Sequence, residues 1–365
     1  MSDNRGIFGL EDFYDRQVSN TITNILDPFI YNKSAVGTDF GYFLGGGSTR
    51  VSTVDRLDFD NDTNTTVVKG PLTENKNRGG ATGNINYGYH GGGSPAGGQS
   101  TTDVDRVDYA NDTAAAAPKG PMAANHYAAG ATGNSNFGYV GGGAPGDSTV
   151  SRIDYSNDTQ VAPAKGPLAS PRFKICATGD ANFGYFMGGQ NTNTIIERVD
   201  YSNDSAVALV KGQLPNPADY ASTAFSSKTH GYYMGGVPGN SADTFRIDYA
   251  SDTTAAAQKG SLSSGRGYGT GTSSRINGFP TTSGDAIQGT PIINGPSSGY
   301  AYYAGGSSSG ASPTPIYGGT STIDRVDFAN DTATAPARCV MSLRREYSSS
   351  GSSDCLLYTS PSPRD

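Results

Sequence analysis

The sequence predicts an all-β propeller with six four-stranded blades and the start of a seventh. A unit of about 48 residues recurs six times along the chain. Each copy contains short segments rich in β-branched and aromatic residues between turns of Gly, Asn and Pro, a pattern typical of antiparallel strands. The copies show no helical period, and four short strands per unit are typical of one propeller blade. The 365 residues suffice for one such large repeat fold.

Every copy is anchored by an arginine that is followed at fixed spacing by acidic, aromatic and basic residues. The arginines are Arg56, Arg106, Arg152, Arg198, Arg246 and Arg325. The aspartates two residues later are Asp58, Asp108, Asp154, Asp200, Asp248 and Asp327. The aspartates six residues later are Asp62, Asp112, Asp158, Asp204, Asp252 and Asp331. A basic residue follows thirteen positions after each arginine, and no insertion or deletion interrupts this stretch.

The third copy illustrates how each blade is expected to form. Residues 131–136 close a run of small residues with a Gly/Asn turn, which favours a first strand and a tight hairpin. Residues 137–143, which end in a glycine pair, predict the second strand, and the alternating segment before Tyr155 predicts the third. An Asn-Asp-Thr turn at 157–159 leads to an outer strand. That strand ends near a proline, which fits only an edge strand or its end.

The repeat divides the chain into three parts. Residues 33–354 are expected to form the propeller, and residues 1–32 an N-terminal arm or short helix. The expected blades are about 33–73, 78–122, 126–168, 172–214, 220–262 and 266–341, with a partial seventh over 342–354. Residues 355–365 resemble one reading frame of a transposase-type sequencing adapter, and we interpret them as an artefact typical of a metagenomic source. On this interpretation the natural chain continues past Asp354.

The order of these elements resembles the kelch repeat over roughly residues 33–354. The shared features are the glycine pair after the second strand, the aromatic–Asx turn after the third and the basic residue after the fourth, although the chain contains no tryptophan. The wording of the unit, such as Arg-Ile-Asp-Tyr-Ser-Asn-Asp-Thr at 152–159, also resembles repeat-containing virion structural proteins of marine cyanophages. That resemblance implies a tail-fibre-like component of the virion, assembled in the host cytoplasm.

Composition excludes several classes of partner. The net charge is −7 and no Lys/Arg cluster occurs, which argues against nucleic acid. No run of about 18 apolar residues predicts a membrane span, so the chain is expected to be soluble outside the virion. Once the adapter-like tail is set aside, the cysteines are Cys176 and Cys339, which have no metal or redox spacing. We therefore expect no cofactor.

The repeated acidic residues allow two interpretations. An arginine and an aspartate two apart on a strand face the same side, so pairs such as Arg152 and Asp154 are expected to form ion pairs between blades. The arginines would then be substantially buried. The alternative is calcium, because groups such as Asp55 and Asp58 recur, but the EF-hand spacing is absent. We favour structural ion pairs and turn capping and expect no metal site.

The sequence offers no catalytic constellation. His90, His126 and His230 occupy non-equivalent positions of the repeat, and no Ser-His-Asp or Cys-His set is apparent. The favoured hypothesis is a non-enzymatic structural or binding module of a phage particle. It would contact other virion proteins, or glycan or protein on the host surface. The alternatives are a carbohydrate-active or redox propeller enzyme and a cellular kelch-like scaffold that binds another protein.

Length variation indicates where a ligand could bind. The loops between the second and third strands differ in length between copies, and loops that vary are those that meet solvent or a ligand. Alternating strand direction places these loops on the same face as the connections between blades. The candidate binding loops are therefore 94–102 and 307–321, represented by Ser94, Gln99, Thr102, Ser307, Tyr317 and Ser321.

Overall fold

The computed structural model describes residues 40–59, 61–190, 194–217, 223–227, 229–236, 241–273, 299–307 and 319–353. All of them belong to one unit, Thr38–Asp354. The predicted N-terminal arm, the adapter-like tail, residues 274–298 of the sixth predicted blade and Tyr317 lie outside these residues. No helix in the described ranges is long and apolar enough to cross a membrane.

Short strands provide almost all of the regular structure. In chain order they are β1 (Phe40–Leu44), β2 (Val54–Asp58), β3 (Val67–Lys69), β4 (Lys76–Asn77), β5 (Gly80–Gly83), β6 (Tyr87–Gly91), β7 (Ser94–Pro95), β8 (Val104–Asp108), β9 (Ala117–Lys119), β10 (Gly130–Gly133), β11 (Phe137–Gly143), β12 (Asp147–Asp154), β13 (Cys176–Gly179), β14 (Phe183–Met187), β15 (Ile195–Asp200), β16 (Leu209–Gln213), β17 (Thr223–Ser226), β18 (His230–Met234), β19 (Asp243–Asp248), β20 (Ala257–Ser261), β21 (Thr270–Ser273), β22 (Tyr300–Ala304), β23 (Thr322–Asp327), β24 (Ala337–Val340) and β25 (Ser349–Ser353). Single-turn 3-10 helices cover Tyr109–Asn111, Tyr201–Asn203, Tyr249–Ser251 and Phe328–Asn330.

Six antiparallel sheets surround a common axis, which confirms the propeller. From the axis outward they are β25-β1-β2-β3, β5-β6-β8-β9, β10-β11-β12, β13-β14-β15-β16, β17-β18-β19-β20 and β21-β22-β23-β24. In the third blade the outer strand is reduced to a bridge between Ser151 and Ala164. The inner strands contact one another in a closed ring. Most of their residues are Gly, Ala, Ser or Thr, whose small side chains let six strands converge at the axis.

The ring closes with a strand from the end of the described chain. Strand β25 pairs antiparallel with β1, from Leu44 opposite Ser349 to Phe40 opposite Ser353. The truncated seventh blade is therefore not confirmed, because the segment assigned to it supplies the inner strand of the first blade. A repeat in sequence shows where a strand begins, but the free edge of β1 decides which sheet it joins.

The apolar core lies between neighbouring blades. One of its clusters packs Tyr139 and Leu168 of the third blade against Phe186 and Val199 of the fourth, all at most 2% exposed. Such burial contributes about 25 cal/mol for each Å² removed from water, so no blade is stable without its neighbours.

The predicted hairpin turns are present and have the expected chemistry. In the third blade the Asn134 side chain accepts hydrogen bonds from the amides of Asn136 and Phe137, both at 2.9 Å. At the end of the second strand, Gly142 and Gly143 have φ angles of 73° and 143°, which glycine adopts most readily. The turns at the two ends of β11 thus fix its length and direction.

Candidate binding face

At each interface between neighbouring blades, which we call a seam, one aspartate contacts three side chains of the preceding blade. Asp204 Oδ2 accepts hydrogen bonds from Arg152 Nη1 at 2.8 Å and from the Tyr139 hydroxyl at 3.0 Å. Its Oδ1 lies 3.1 Å from Lys165 Nζ. Burial alone would raise the pKa of Asp204, but hydrogen bonds from these three groups outweigh it and hold the pKa below its ordinary value. The Arg152 guanidinium also lies 4.3 Å from the centre of the Phe137 ring.

The same contact recurs at every seam, including the one that closes the ring. The arginine–aspartate distances are 2.7–2.8 Å throughout. The pairs are Arg56–Asp112, Arg106–Asp158, Arg152–Asp204, Arg198–Asp252, Arg246–Asp331 and Arg325–Asp62. In the last pair Arg338 takes the place of the lysine. The repeated charges therefore hold blade to blade.

The first repeated aspartate has the expected turn-capping role but does not form the expected ion pair. Asp154 Oδ1 accepts a hydrogen bond from the Ser156 amide at 2.9 Å and caps the turn that follows the third strand. The equivalent aspartates Asp108, Asp200, Asp248 and Asp327 accept from the amide two residues on in the same way. The ion-pair partner is instead the second aspartate, in the next blade. The side chains of Arg106, Arg152 and Arg198 remain 24%, 24% and 19% exposed, so these arginines are half-buried.

A second set of ion pairs, fully buried, fixes the connection that enters four of the blades. Arg172 Nη2 lies 3.0 Å from Glu197 Oε2, and neither side chain is exposed. The same guanidinium donates hydrogen bonds to the carbonyl oxygens of Gly188 at 2.8 Å, Ile195 at 3.2 Å and Phe186 at 3.3 Å. The equivalent pairs are Lys76–Asp105, Arg266–Asp324 and Arg345–Asp55. Sequence reasoning missed them, although an acidic residue directly before the anchor arginine and a basic residue in the preceding connection recur together.

The third blade has a histidine and a serine at these two positions. His126 Nε2 lies 2.8 Å from Ser151 Oγ, and Nδ1 lies 2.6 Å from the Gly142 carbonyl oxygen. Neither residue is exposed, so no substrate reaches this hydroxyl. The pair replaces a salt bridge and is structural. In the described part of the chain no group of three or more His, Cys, Asp or Glu residues could hold a metal ion.

The loops between second and third strands lie beside the connections that enter the blades, as predicted from strand direction. Strand β4 pairs with β7, so Asn77 lies opposite Ser94. Single bridges join Asp147 to Arg172 and Gly267 to Ser307. We call this side of the propeller the connection face.

The first candidate loop has a fixed base and an exposed tip. Ser94 is buried, and its hydroxyl accepts a hydrogen bond from Arg50 Nη2 at 3.2 Å. The half-buried Thr102 accepts one from the Met122 amide at 2.9 Å through its carbonyl. Residues 96–99, which end in Gln99, are all exposed. Only this tip is available to a ligand.

The ends of the second candidate loop are anchored in the same way. The backbone of Ser307, which is 9% exposed, pairs with Gly267. Ser321 is half-buried, and its carbonyl accepts a hydrogen bond from the Met341 amide at 2.8 Å. Both serines therefore belong to the scaffold of the loop.

A belt of backbone hydrogen bonds surrounds the end of the central channel at the connection face. The amide of Tyr347 donates to the Tyr268 carbonyl at 2.8 Å, Arg78 to Tyr347 at 2.9 Å, Ala128 to Arg78 at 2.8 Å and Lys174 to Ala128 at 2.6 Å. These five belt residues come from five blades and have φ angles of 55–62°. The left-handed conformation costs a non-glycine residue on the order of 1 kcal/mol. Glycine would be the least costly residue here, yet none of the described belt positions has one.

The belt residues line the mouth of a cavity of about 150 Å³ on the axis. Two cationic residues and two tyrosines are among the residues that line this cavity, namely Arg78, Lys174, Tyr268 and Tyr347. The Arg78 guanidinium lies 3.9 Å from the centre of the Tyr347 ring and 5.2 Å from that of Tyr127. Sequence reasoning missed this site, because the positions look like unremarkable variable residues before the first strand.

Comparison with models of known protein families and with curated proteins finds no match for this chain. The function is therefore inferred from the geometry. A six-bladed propeller is consistent with a binding or structural module, but one fold serves many functions.

Proposed function

We propose that this chain is a non-enzymatic binding module of a phage particle and that its connection face contacts glycan or protein on the host surface. One observation carries the proposal. The residues that repeat in every blade are used in contacts between blades, whereas the loops between the second and third strands, which differ in length between blades, lie on the connection face. Packing requires the first set to be constant, and recognition would require the second set to be specific.

The state of the nucleophilic groups favours binding over catalysis. Burial raises the pKa of the thiols of Cys176 and Cys339 to about 12, which keeps both protonated at neutral pH. Burial also lowers the pKa of His126, and its partner Ser151 is inaccessible. None of these groups lies where a substrate could meet it.

The exposed tip at 96–99 favours weak polar contacts. Its sequence, Ala-Gly-Gly-Gln, offers backbone amides and one side-chain amide but no deep pocket. A particle that displays many copies would strengthen weak single contacts through avidity. The resemblance to cyanophage virion proteins supports a particle of this kind.

The test is an exchange of loops within the chain. One variant carries the short third-blade loop, Ala144–Thr149, in place of residues 94–102 and 307–321, and a milder one changes only 96–99 to Ser-Gly-Gly-Ser. The control is Ile85→Ser, on the opposite face, which makes the turn at 84–86 identical to that at 134–136. Thermal midpoints show whether each variant folds.

Binding of the fluorescently labelled protein to intact marine cyanobacterial cells is the readout. We expect both loop variants to lose cell binding and the control to retain it. Equal binding by all variants would remove the loops from the proposal. Release of new reducing ends from cell-surface polysaccharide would instead identify a carbohydrate-active enzyme.

A further inference from the structure

Three buried polar atoms without partners lie where the closing segment meets the second blade. Arg78 Nε, Glu346 Oε1 and Ser349 Oγ are buried, and each lacks a hydrogen-bond partner within the described structure. Buried polar groups in native proteins are nearly always hydrogen-bonded, so such a cluster needs an explanation. Arg78 and Ser349 both line the axial cavity, so a ligand there could supply partners.

The identity of the belt residues indicates that their side chains have a function. The backbone hydrogen bonds of the belt do not depend on side chains, and glycine would form them with less strain. The chain nevertheless has Arg78, Lys174, Tyr268 and Tyr347 there, with the two phenol rings 4.6 Å apart. Retaining large side chains at strained positions is typical of a functional site.

The chemistry of the mouth selects the class of ligand. A guanidinium and an ammonium bind carboxylate or sulfate groups, and the guanidinium can do so with two parallel hydrogen bonds. Aromatic rings offer an apolar face with a polar tip, suited to the C–H face of a sugar ring. The cavity of about 150 Å³ is smaller than the roughly 300–1,000 Å³ of drug-sized pockets, so it would take one end group of a longer molecule.

We infer that the channel mouth binds the terminal acidic sugar of a host-surface saccharide, with Arg78 as the principal contact to its anionic group. Lys174 supplies a second cation at the rim, Ser349 hydrogen-bonds a sugar hydroxyl, and Tyr268 packs against the ring. This inference rests on the proposed function, because it names the ligand class of the same face. It assigns recognition of charge to the mouth and leaves the loops to contact the rest of the saccharide.

Calorimetric titration of the full chain tests the inference with three probes. The probes are a uronate trisaccharide, a sulfated trisaccharide and a neutral trisaccharide of similar size. We expect an acidic probe to bind at least tenfold more tightly than the neutral one, and the affinity to fall as salt is added. The comparison between carboxylate and sulfate identifies which anion the mouth prefers.

Arg78→Gly separates binding from structure. Glycine relieves the strained backbone at φ 60° but removes the ring contacts with Tyr347 and Tyr127 and the cation near Glu346. These effects oppose each other, so we expect the thermal midpoint to shift by only a few degrees while affinity for the acidic probe falls at least tenfold. Arg78→Lys should recover part of the affinity, because the charge is kept without the planar guanidinium. Lys174→Gln should weaken binding severalfold. The matched control is Arg344→Gln, an exposed cation on the connection that contains Tyr347, which should change affinity less than twofold.

The outcomes separate this inference from the proposed function. Unchanged binding of the acidic probe by Arg78→Gly, or a preference for the neutral probe, would overturn the inference. If the loop exchanges abolish cell binding while Arg78→Gly retains it, the proposed function stands and the channel mouth is not its site. If neither cells nor saccharides are bound by the unaltered chain, both are wrong.

Discussion

Replacing each of two arginines by alanine distinguishes the two sets of ion pairs. Arg172 is fully buried with Glu197, whereas Arg152 is 24% exposed beside Asp204. Sequence reasoning treats the repeated Arg152 as the main structural cation. The geometry indicates that Arg172, which belongs to no obvious motif, contributes more to stability.

The expected cost of each change follows from what it leaves behind. Arg172→Ala leaves Glu197 buried with hydrogen bonds from Ala169 and Ser170 but without a cation, and removes the donor from three carbonyl groups. Breaking a buried pair in this way costs about 3–5 kcal/mol. Arg152→Ala leaves Asp204 with two further partners and removes a partly exposed pair, which costs about 1–2 kcal/mol.

Urea unfolding measures the difference. The chain has no tryptophan, so tyrosine fluorescence and circular dichroism are the signals. Midpoints are comparable while the slope of the unfolding free energy against urea stays constant between variants. Arg344→Ala is the surface control and should change stability by less than about 0.5 kcal/mol. If Arg152→Ala destabilises the protein as much as Arg172→Ala, the reasoning from burial is wrong.

Three further predictions concern closure, pH and packing. Ending the chain before Ser349 should open the ring, seen as a larger radius in size-exclusion chromatography and a lower thermal midpoint, whereas ending it after residue 354 should change neither. The pKa values of Asp158 and Asp204 are held below that of a free aspartate, so the unfolded state binds protons first as the pH falls. The free energy of unfolding should therefore decrease as pH drops from about 4 through the lowered pKa values. Urea midpoints that stay level from pH 7 to 2 would contradict this. Gly166→Ala should cost about 1–3 kcal/mol in urea unfolding, since its Cβ would overlap a carbonyl oxygen of the next blade, and full stability would show that the blades can separate there.

The buried ion pairs could in part have been predicted from the sequence. Arg172 and Glu197 are 25 residues apart, and neither position has the same residue in every blade. In the third blade both members of the pair differ together, as His126 and Ser151. This joint change can be detected within one chain and indicates that the two positions are in contact. Periodicity searches overlook it because they look for residues that stay constant.

The sequence by itself determined the repeat, the strand order within a blade, the turns and the number of complete blades, because these depend on local spacing and on residues that recur. Only the tertiary structure decided that Arg152 pairs with Asp204 of the next blade and not with Asp154 of its own strand. Only it showed that residues 349–353 close the first blade and that Arg78 reaches the axial mouth. Copies of one repeat have the same local sequence pattern, so the pattern does not show which blades are neighbours. The closure of the ring determines that. The burial and backbone strain of each side chain depend on that closure as well.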